Sequence, residues 1–124
     1  MLQYKLTQSK LSDRPSISFE GVFVIMNEIN SCDDCYLINE VIPNLEKIRR
    51  GELIRYPDTN EGQLIDSYEF GYTATMIDFH KDKSIIDNTW DDNFVKIEVS
   101  SEQVYQFMKE WTDKLIEWKN SRNL

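Results

Sequence analysis

The sequence predicts an α+β fold in which a single antiparallel β-sheet is packed on one face by two helices. Apolar and polar residues alternate in Tyr68–Met76 and again in Val95–Val99, as in strands with one buried face. Apolar residues recur at spacings of three and four in Leu37–Ile48 and Val104–Trp118, as in amphipathic helices. The chain has 124 residues, 40% of them apolar, which is enough for one α+β domain over residues 1–124.

The N-terminal part of the chain predicts two strands. Leu2–Leu6 alternates and predicts a short edge strand, and S-D-R-P-S (Ser12–Ser16) predicts a turn. A second strand follows, in which Gly21 is expected to mark a bulge. Its apolar face consists of Ile17, Phe19, Phe23 and Ile25.

The first helix has recognisable start and stop signals. Ser31 is the predicted N-cap, and Asp33 and Asp34 fall in the first turn, where carboxylates favour the positive end of the helix. Pro43 lacks a backbone donor, so it predicts a kink or a division of the helix just before it. Gly51 is the predicted stop.

The remaining elements complete the predicted order β-β-α-β-β-β-α. H-K-D-K (His80–Lys83) predicts a hairpin turn that leads into a return strand at Ser84–Asp87. Ser100 and Gln103 form a capping box, which predicts the start of the last helix. Two helices on one face would leave the other face of the sheet open to solvent or to a partner.

The net charge of −8 is concentrated in the middle of the chain. The segment Asp58–Asp92 holds nine acids against only Lys81 and Lys83, a net charge of −7. This segment argues against nucleic acid or an anionic membrane as a ligand, since both require clustered Lys and Arg. It favours a basic protein partner, which long-range electrostatics would attract. The alternative is that these acids only keep the protein soluble.

The sequence predicts a soluble, cytoplasmic protein. Its first residues lack the basic start and the apolar core of a signal peptide. The longest apolar run, Val22–Met26, is too short to span a bilayer. In the cytoplasm the thiols are expected to stay reduced.

Cys32 and Cys35 form the only C-x-x-C pair of the chain, in N-S-C-D-D-C-Y. The two aspartates between them disfavour a reactive thiolate, which argues against a redox pair. A structural zinc site takes four ligands, and His80 is the only histidine that could join the cysteines. Free thiols, no metal and no cofactor are therefore expected. A small Cys/His metal or redox protein is the alternative.

No motif predicts an enzyme. Asp78 and His80 share one face of a strand and could act as an acid–base pair, for which Ser84 is the only nearby hydroxyl. No glycine-rich phosphate loop and no G-x-S-x-G elbow accompanies them. Asp91 and Asp92 lack the spacing of an EF-hand calcium loop. A non-enzymatic protein without catalytic residues is expected.

Trp90 stands among carboxylates in N-T-W-D-D-N, which is the composition of a binding hot spot for a partner rich in Lys and Arg. The alternative is that its ring covers an end of the core. Tyr56 is a second candidate aromatic anchor. The predicted partner-binding residues are Tyr56, Glu61, Asp66, Asp82, Asp87, Trp90, Asp91 and Asp92.

Three stretches carry a resemblance to a known kind of protein. They are L-I-N-E-V-I-P-N-L-E-K-I-R-R-G-E-L (Leu37–Leu53), Y-E-F-G-Y-T-A-T-M-I-D-F (Tyr68–Phe79) and V-K-I-E-V-S-S-E-Q-V-Y-Q-F-M-K-E-W (Val95–Trp111). In architecture and acidity the chain resembles the immunity proteins that bacteria carry against their own polymorphic or contact-dependent toxins. The resemblance implies tight binding and blocking of a cognate toxin, often a basic nuclease. The alternative function is a non-enzymatic adaptor or assembly subunit that forms a homodimer through its sheet edges.

Overall fold

A computed structural model describes residues 2–8, 10–55 and 62–122 of the chain. Its strands are β1 (Tyr4–Gln8), β2 (Pro15–Phe19), β3 (Ile54–Arg55), β4 (Leu64–Ile65), β5 (Tyr68–Tyr72), β6 (Thr75–Phe79), β7 (Lys83–Asn88) and β8 (Ile97–Ser100). Its helical segments are a 3₁₀ helix (Gly21–Ser31), α1 (Asp34–Tyr36), a π-helical turn (Leu37–Val41), α2 (Ile42–Arg49) and α3 (Ser101–Arg122). The predicted α+β class is confirmed.

The strands of the described residues form three antiparallel sheets, so the prediction of a single sheet is wrong. β1 pairs with β2, β3 pairs with β4, and β5, β6, β7 and β8 form a four-stranded meander. The predicted element order also omits the 3₁₀ helix and the short strands β3 and β4. The segment that follows β2 separates this strand from the meander.

The predicted second strand ends at Phe19, and a 3₁₀ helix replaces its second half. Gly21 has φ +64°, a left-handed conformation that stops the extended chain, so this glycine opens a helix and does not mark a bulge. Phe23, Met26 and Ile29 are buried at spacings of three. Three residues make one turn of a 3₁₀ helix, so these side chains form a single row against the core.

A second row of this helix, Asn27 and Asn30, covers the outer edge of β2. The Asn30 amide accepts the Ile17 N–H through Oδ1 at 2.9 Å and donates to the Ile17 carbonyl through Nδ2 at 2.7 Å. Asn27 accepts the Phe19 N–H at 2.7 Å and donates to its carbonyl at 3.5 Å. Because these side chains satisfy the backbone of β2, β2 has no free edge with which to join the meander here.

The next helix begins two residues later than predicted, and its hydrogen-bond pattern changes before the proline. Asp33 is the N-cap in place of Ser31, and its carboxylate accepts the Cys35 N–H at 2.7 Å. Ser31 instead ends the 3₁₀ helix. A π-helical turn precedes α2, and Pro43 lies in the first turn of α2. The backbone stays helical from Asp34 to Arg49, so the hydrogen-bond pattern changes before the proline but the helix is not split into two pieces.

Gly51 ends α2 as predicted. It has φ +79°, and its N–H donates to the Ile48 carbonyl at 3.0 Å. The Glu52 N–H donates to the Lys47 carbonyl at 2.9 Å. These two bonds are those of a Schellman motif, which satisfies the last carbonyls of the helix.

Two hairpins build the start of the meander. The predicted single strand at Tyr68–Met76 is interrupted by a tight turn at Thr73, which has φ +52°. The Glu28 carboxylate of the 3₁₀ helix accepts the Ala74 N–H at 3.2 Å and thereby supports this turn. The second hairpin turn, at His80–Asp82, was predicted and is confirmed.

Helix α3 contributes seven buried side chains to the interior of the protein. The Ser100 hydroxyl accepts the Gln103 N–H at 3.4 Å, which confirms the predicted cap. Trp111 is fully buried and donates from its indole nitrogen to the Pro15 carbonyl at 3.0 Å, which ties the helix to β2. The buried side chains of α3 are Ser101, Val104, Phe107, Met108, Trp111, Thr112 and Leu115. Among the described residues, no helix is both long enough and apolar enough to cross a membrane.

Candidate functional site

One face of the four-stranded meander packs on the core, and the other face carries charged residues. The register places Glu69, Asp78, Ile85 and Glu98 in one row across β5, β6, β7 and β8, and Met76 opposite Asp87 in the next row. We define the outer face as Glu69, Met76, Asp78, Ile85, Asp87 and Glu98. All six are half-buried or exposed, and none belongs to the hydrophobic core or packs against it.

One ion pair neutralises part of the outer face, and a histidine contacts a second carboxylate there. His80 Nε2 lies 3.0 Å from the Asp78 carboxylate, and Lys83 Nζ lies 2.9 Å from the Glu98 carboxylate. The hydrogen bond that Lys83 donates to the Glu98 carboxylate raises the pKa of Lys83, so this lysine stays charged. Within the described residues, Glu69 has no ion pair. The outer face therefore remains negative.

A groove of about 750 Å³ lies at the hairpin end of the outer face. Asp66 and Asp82, two of the predicted partner-binding residues, line it and are exposed. Ile85 of the outer face lines it as well, so the groove and the outer face are continuous. The other lining residues are Ile48, Gly51, Glu52, Leu53, His80, Lys81 and Lys83.

Trp90 lies at the opposite end of β7, in the turn that follows this strand. Its side chain is 76% exposed, so it does not cover the core. The turn is held by the Trp90 N–H, which donates to Asn88 Oδ1 at 3.1 Å, and by the Asn93 N–H, which donates to Asp91 Oδ1 at 3.0 Å. Asp91 and Asp92 are both exposed beside the tryptophan.

Further apolar side chains are exposed on the elements that meet this turn. The Thr75 hydroxyl donates to the Ile25 carbonyl of the 3₁₀ helix at 2.7 Å, and Thr89 donates to the Ala74 carbonyl from both its N–H and its hydroxyl. These bonds bring the 3₁₀ helix, the β5–β6 turn and the turn of Trp90 together. Their exposed apolar residues are Val22, Val24 and Tyr72.

The predicted partner-binding residues thus fall into three places along the meander. Asp66 and Asp82 line the groove, Asp87 lies on the outer face, and the last three form the opposite end: Trp90, Asp91 and Asp92. Tyr56 and Glu61 lie outside the described residues. The partner contacts predicted from the sequence do not include Glu69, Met76, Asp78, Ile85 or Glu98, although alternation with buried residues within each strand marks each of them as facing away from the core.

The two cysteines have different surroundings, and they form no disulfide. Cys32 is buried, its thiol lies 3.7 Å from the Gly71 carbonyl, and burial raises its pKa to about 11, partly opposed by the charge of Arg14. Cys35 is exposed, with Lys119 Nζ 3.7 Å from its sulfur. A buried thiol with a raised pKa is a poor nucleophile, which does not favour a redox pair.

The cysteines and the histidine do not meet. Cys32 contacts Gly71, which pairs with Met76 near the start of β6, whereas His80 follows the end of that strand. About four residues of strand, or roughly 13 Å, separate the two places. Across the described part of the chain, no group of three or more His, Cys, Asp and Glu side chains could hold a metal ion.

Ser84 cannot serve the pair of Asp78 and His80 as a nucleophile. It lies on the buried face of β7, and its hydroxyl is 2.6 Å from the Ser101 hydroxyl inside the core. Asp78 and His80 stand on the other side of the sheet. The acid–base pair considered from the sequence therefore exists as a contact, but this serine is not beside it.

Comparison of the chain with models of protein families, with curated proteins and with solved structures finds no match.

Proposed function

We propose that this protein is an immunity protein that binds and neutralises a cognate basic toxin in the cytoplasm, without catalytic activity of its own. The observation that carries the proposal is the exposure of Trp90 beside Asp91 and Asp92, on a sheet whose outer face is negative. Tryptophan is enriched among the residues that dominate binding energy, and a large exposed ring gains most when a partner covers it.

The charges support a basic partner. The acids of the segment Asp58–Asp92 would speed the encounter with a basic protein and repel nucleic acid and anionic lipid. An inhibitor of this kind needs a stable scaffold, complementary charge and aromatic anchors, and the negative outer face and the exposed Trp90 and Tyr72 support the last two of these.

The proposal predicts that a toxin is encoded next to the gene for this chain, and it is tested with the domain of that toxin, made as a catalytically inactive variant. We expect a stoichiometric complex of the two proteins, and protection of bacteria from the active toxin when the two are co-expressed. If the toxin kills unhindered and the purified proteins do not associate, the proposal is wrong. A homodimer in size-exclusion chromatography without such a complex would favour the assembly subunit instead.

Charge reversal tests the role of the acids in binding. We expect the triple variant Asp87→Lys, Asp91→Lys, Asp92→Lys to bind the toxin domain at least about 100-fold more weakly, because the reversed charges repel a basic surface. Its melting temperature should barely change. Since Asp91 also holds its own turn, the double variant of Asp87 and Asp92 is the cleaner test.

Glu117→Lys is the matched control. It makes the charge reversal of one of those substitutions at an exposed position of α3, where an exposed pair with Lys114 is lost. We expect its affinity to stay within about threefold of the wild type at moderate ionic strength. Undiminished binding of the reversed variants at low salt would refute the role of the acids.

A further inference from the structure

We propose that the outer face joins the groove to the Trp90 end as one continuous docking surface for a single Arg- and Lys-bearing segment of the toxin. This inference rests on the proposed function and extends it. The contact residues come from several separate stretches of the sequence. We expect both ends of β7 to bind the same segment of the toxin.

The continuity follows from β7. Lys83, at the start of the strand, and Ile85 both line the groove, whereas Asn88, its last residue, holds the Trp90 turn. Six residues of strand span roughly 20 Å, which is the length of about six residues of extended chain or 13 of helix. Asp87 lies between the two ends on the outer face.

A like-charge pair on this surface points to a cationic occupant. Glu69 of β5 stands directly opposite Asp78 of β6. Directly opposed like charges destabilise a sheet. His80 contacts the Asp78 carboxylate, but among the described residues no ion pair joins it to Glu69. A guanidinium or ammonium group placed over the two carboxylates would remove the repulsion, and no lysine or arginine of the described residues is ion-paired with Glu69.

The apolar residues of the surface fit the same occupant. Met76 and Ile85 lie half-buried between the carboxylates, apart from the core. Arginine and lysine bury their aliphatic stems on apolar surface while their charged ends remain with carboxylates or water. An apolar centre with four carboxylates around it, against the single ammonium of Lys83, is therefore complementary to a basic segment.

The charges disfavour the other occupants. A second copy of this chain would bring an equally acidic face against the first, and like charges placed together oppose association. Nucleic acid would be repelled for the same reason. A homodimer through this face would therefore require high salt.

The test is an Ile85→Lys variant in complex with the inactive toxin domain. The new ammonium would lie between Asp78 and Glu98, its cross-strand neighbours, and occupy the place of the toxin's cation. We expect toxin binding to weaken by at least about 100-fold, while the melting temperature is unchanged or higher because opposite charges are paired across strands. Ile85→Thr, a good strand residue without charge, should lose less than about tenfold.

The outcomes separate the two proposals. If Trp90→Ala abolishes binding while Ile85→Lys and Glu69→Lys bind as the wild type does, the docking surface is wrong and the proposed function stands. If the wild-type chain binds no toxin domain, the proposed function is wrong.

An NMR titration with an octa-arginine peptide then tests the surface alone, and it should perturb the amides of Glu69, Met76, Ile85 and Asp87 but not those of α3. Perturbation spread evenly over the chain would overturn the inference.

Discussion

Arg14 and Asp34 form a double hydrogen bond that joins the start of β2 to the first turn of α1. Nε and Nη2 of the guanidinium both donate to Asp34 Oδ1, at 2.9 and 2.6 Å. The same guanidinium donates to the Asn30 carbonyl at 2.9 Å and to the Cys32 carbonyl at 3.2 Å. Each side chain is only 19% exposed. One arginine thus holds the end of the 3₁₀ helix, the N-terminus of α1 and β2 together.

We expect Arg14→Ala to lower the free energy of unfolding by about 2–4 kcal/mol, because it leaves the partly buried Asp34 carboxylate without its charge partner. Arg14→Lys should recover only part of this loss, since an ammonium cannot reproduce the planar fork. Urea denaturation measures both. Arg50→Ala, which removes an exposed pair with Glu52, is the control and should change stability by less than about 1 kcal/mol. Equal effects at the two arginines would contradict the assignment.

We expect Asn30→Ala to destabilise the chain by about 2 kcal/mol, because it leaves the N–H and the carbonyl of Ile17 without partners. Hydrogen exchange of the Ile17 amide should accelerate in the variant. In the wild type this amide should be protected although β2 has only one strand neighbour. Asn39→Ala, at an exposed position of the π-helical turn, serves as the comparison. An Ile17 amide that exchanges quickly in the wild type would disprove the role of the asparagine.

We expect Glu69→Gln to raise the free energy of unfolding by about 0.2–1 kcal/mol at low salt, because it removes the carboxylate opposite Asp78. The gain should vanish at about 1 M salt, where exposed charges are screened. Glu98→Gln should have the opposite sign, since it breaks the attraction to Lys83. Thermal unfolding of the wild type, Glu69→Gln and Glu98→Gln at two salt concentrations measures these differences in stability. A destabilised Glu69→Gln protein would show that the repulsion is absent.

We expect stability to fall as pH rises above 9, in part through Cys32. Its folded pKa is about 11, against a usual 9.0, because burial disfavours the thiolate. The unfolded chain therefore loses this proton first, so the stabilisation is complete below pH 9 and is lost as pH approaches 11. The loss amounts to about 2 kcal/mol at pH 11.

Comparison with Cys32→Ala isolates this contribution, because the pKa of Tyr4 is also raised, to about 12, by burial and by its hydrogen bond to Glu110. The difference in unfolding free energy between the wild type and the alanine variant should shrink between pH 9 and 11. A constant difference between wild type and Cys32→Ala would mean that the thiol titrates normally.

The elements with local signals were predictable from the sequence. Helix α3 begins at a capping box and carries its apolar residues at helical spacing, and the turn at His80–Asp82 lies between two alternating runs. The helix stop at Gly51 follows from the left-handed conformation that glycine readily adopts. For these elements the nearest residues in the chain decide the backbone conformation.

The division into three sheets depends on contacts between distant residues. The Glu28 carboxylate reaches the Ala74 amide across 46 residues, and Asn30 reaches back 13 residues to Ile17. The alternation of apolar residues between Ile17 and Ile25 is compatible with one long strand. The spacing of three in Phe23, Met26 and Ile29 indicates a 3₁₀ helix instead, but the prediction followed the alternation.

The candidate site was predicted only where it lies within one acidic segment. Counting charges along the chain finds Asp87 and the Trp90 turn, but it separates Glu98 from them. Only the pairing of β8 with β7 places Glu98 on the same face. The register of the strands decides which residues from different strands share a face. A count of charges along the chain carries no information about that register.

The amides of Asn27 and Asn30 also affect how the protein behaves at high concentration. Exposed strand edges are where chains add to one another and aggregate. Along Ile17 and Phe19, β2 offers no unpaired N–H or carbonyl to a neighbouring molecule, since the two side chains already occupy those groups. A neighbouring molecule could therefore extend this hairpin along the edge of β1. Loss of either asparagine would expose backbone groups of β2 as a second edge for aggregation.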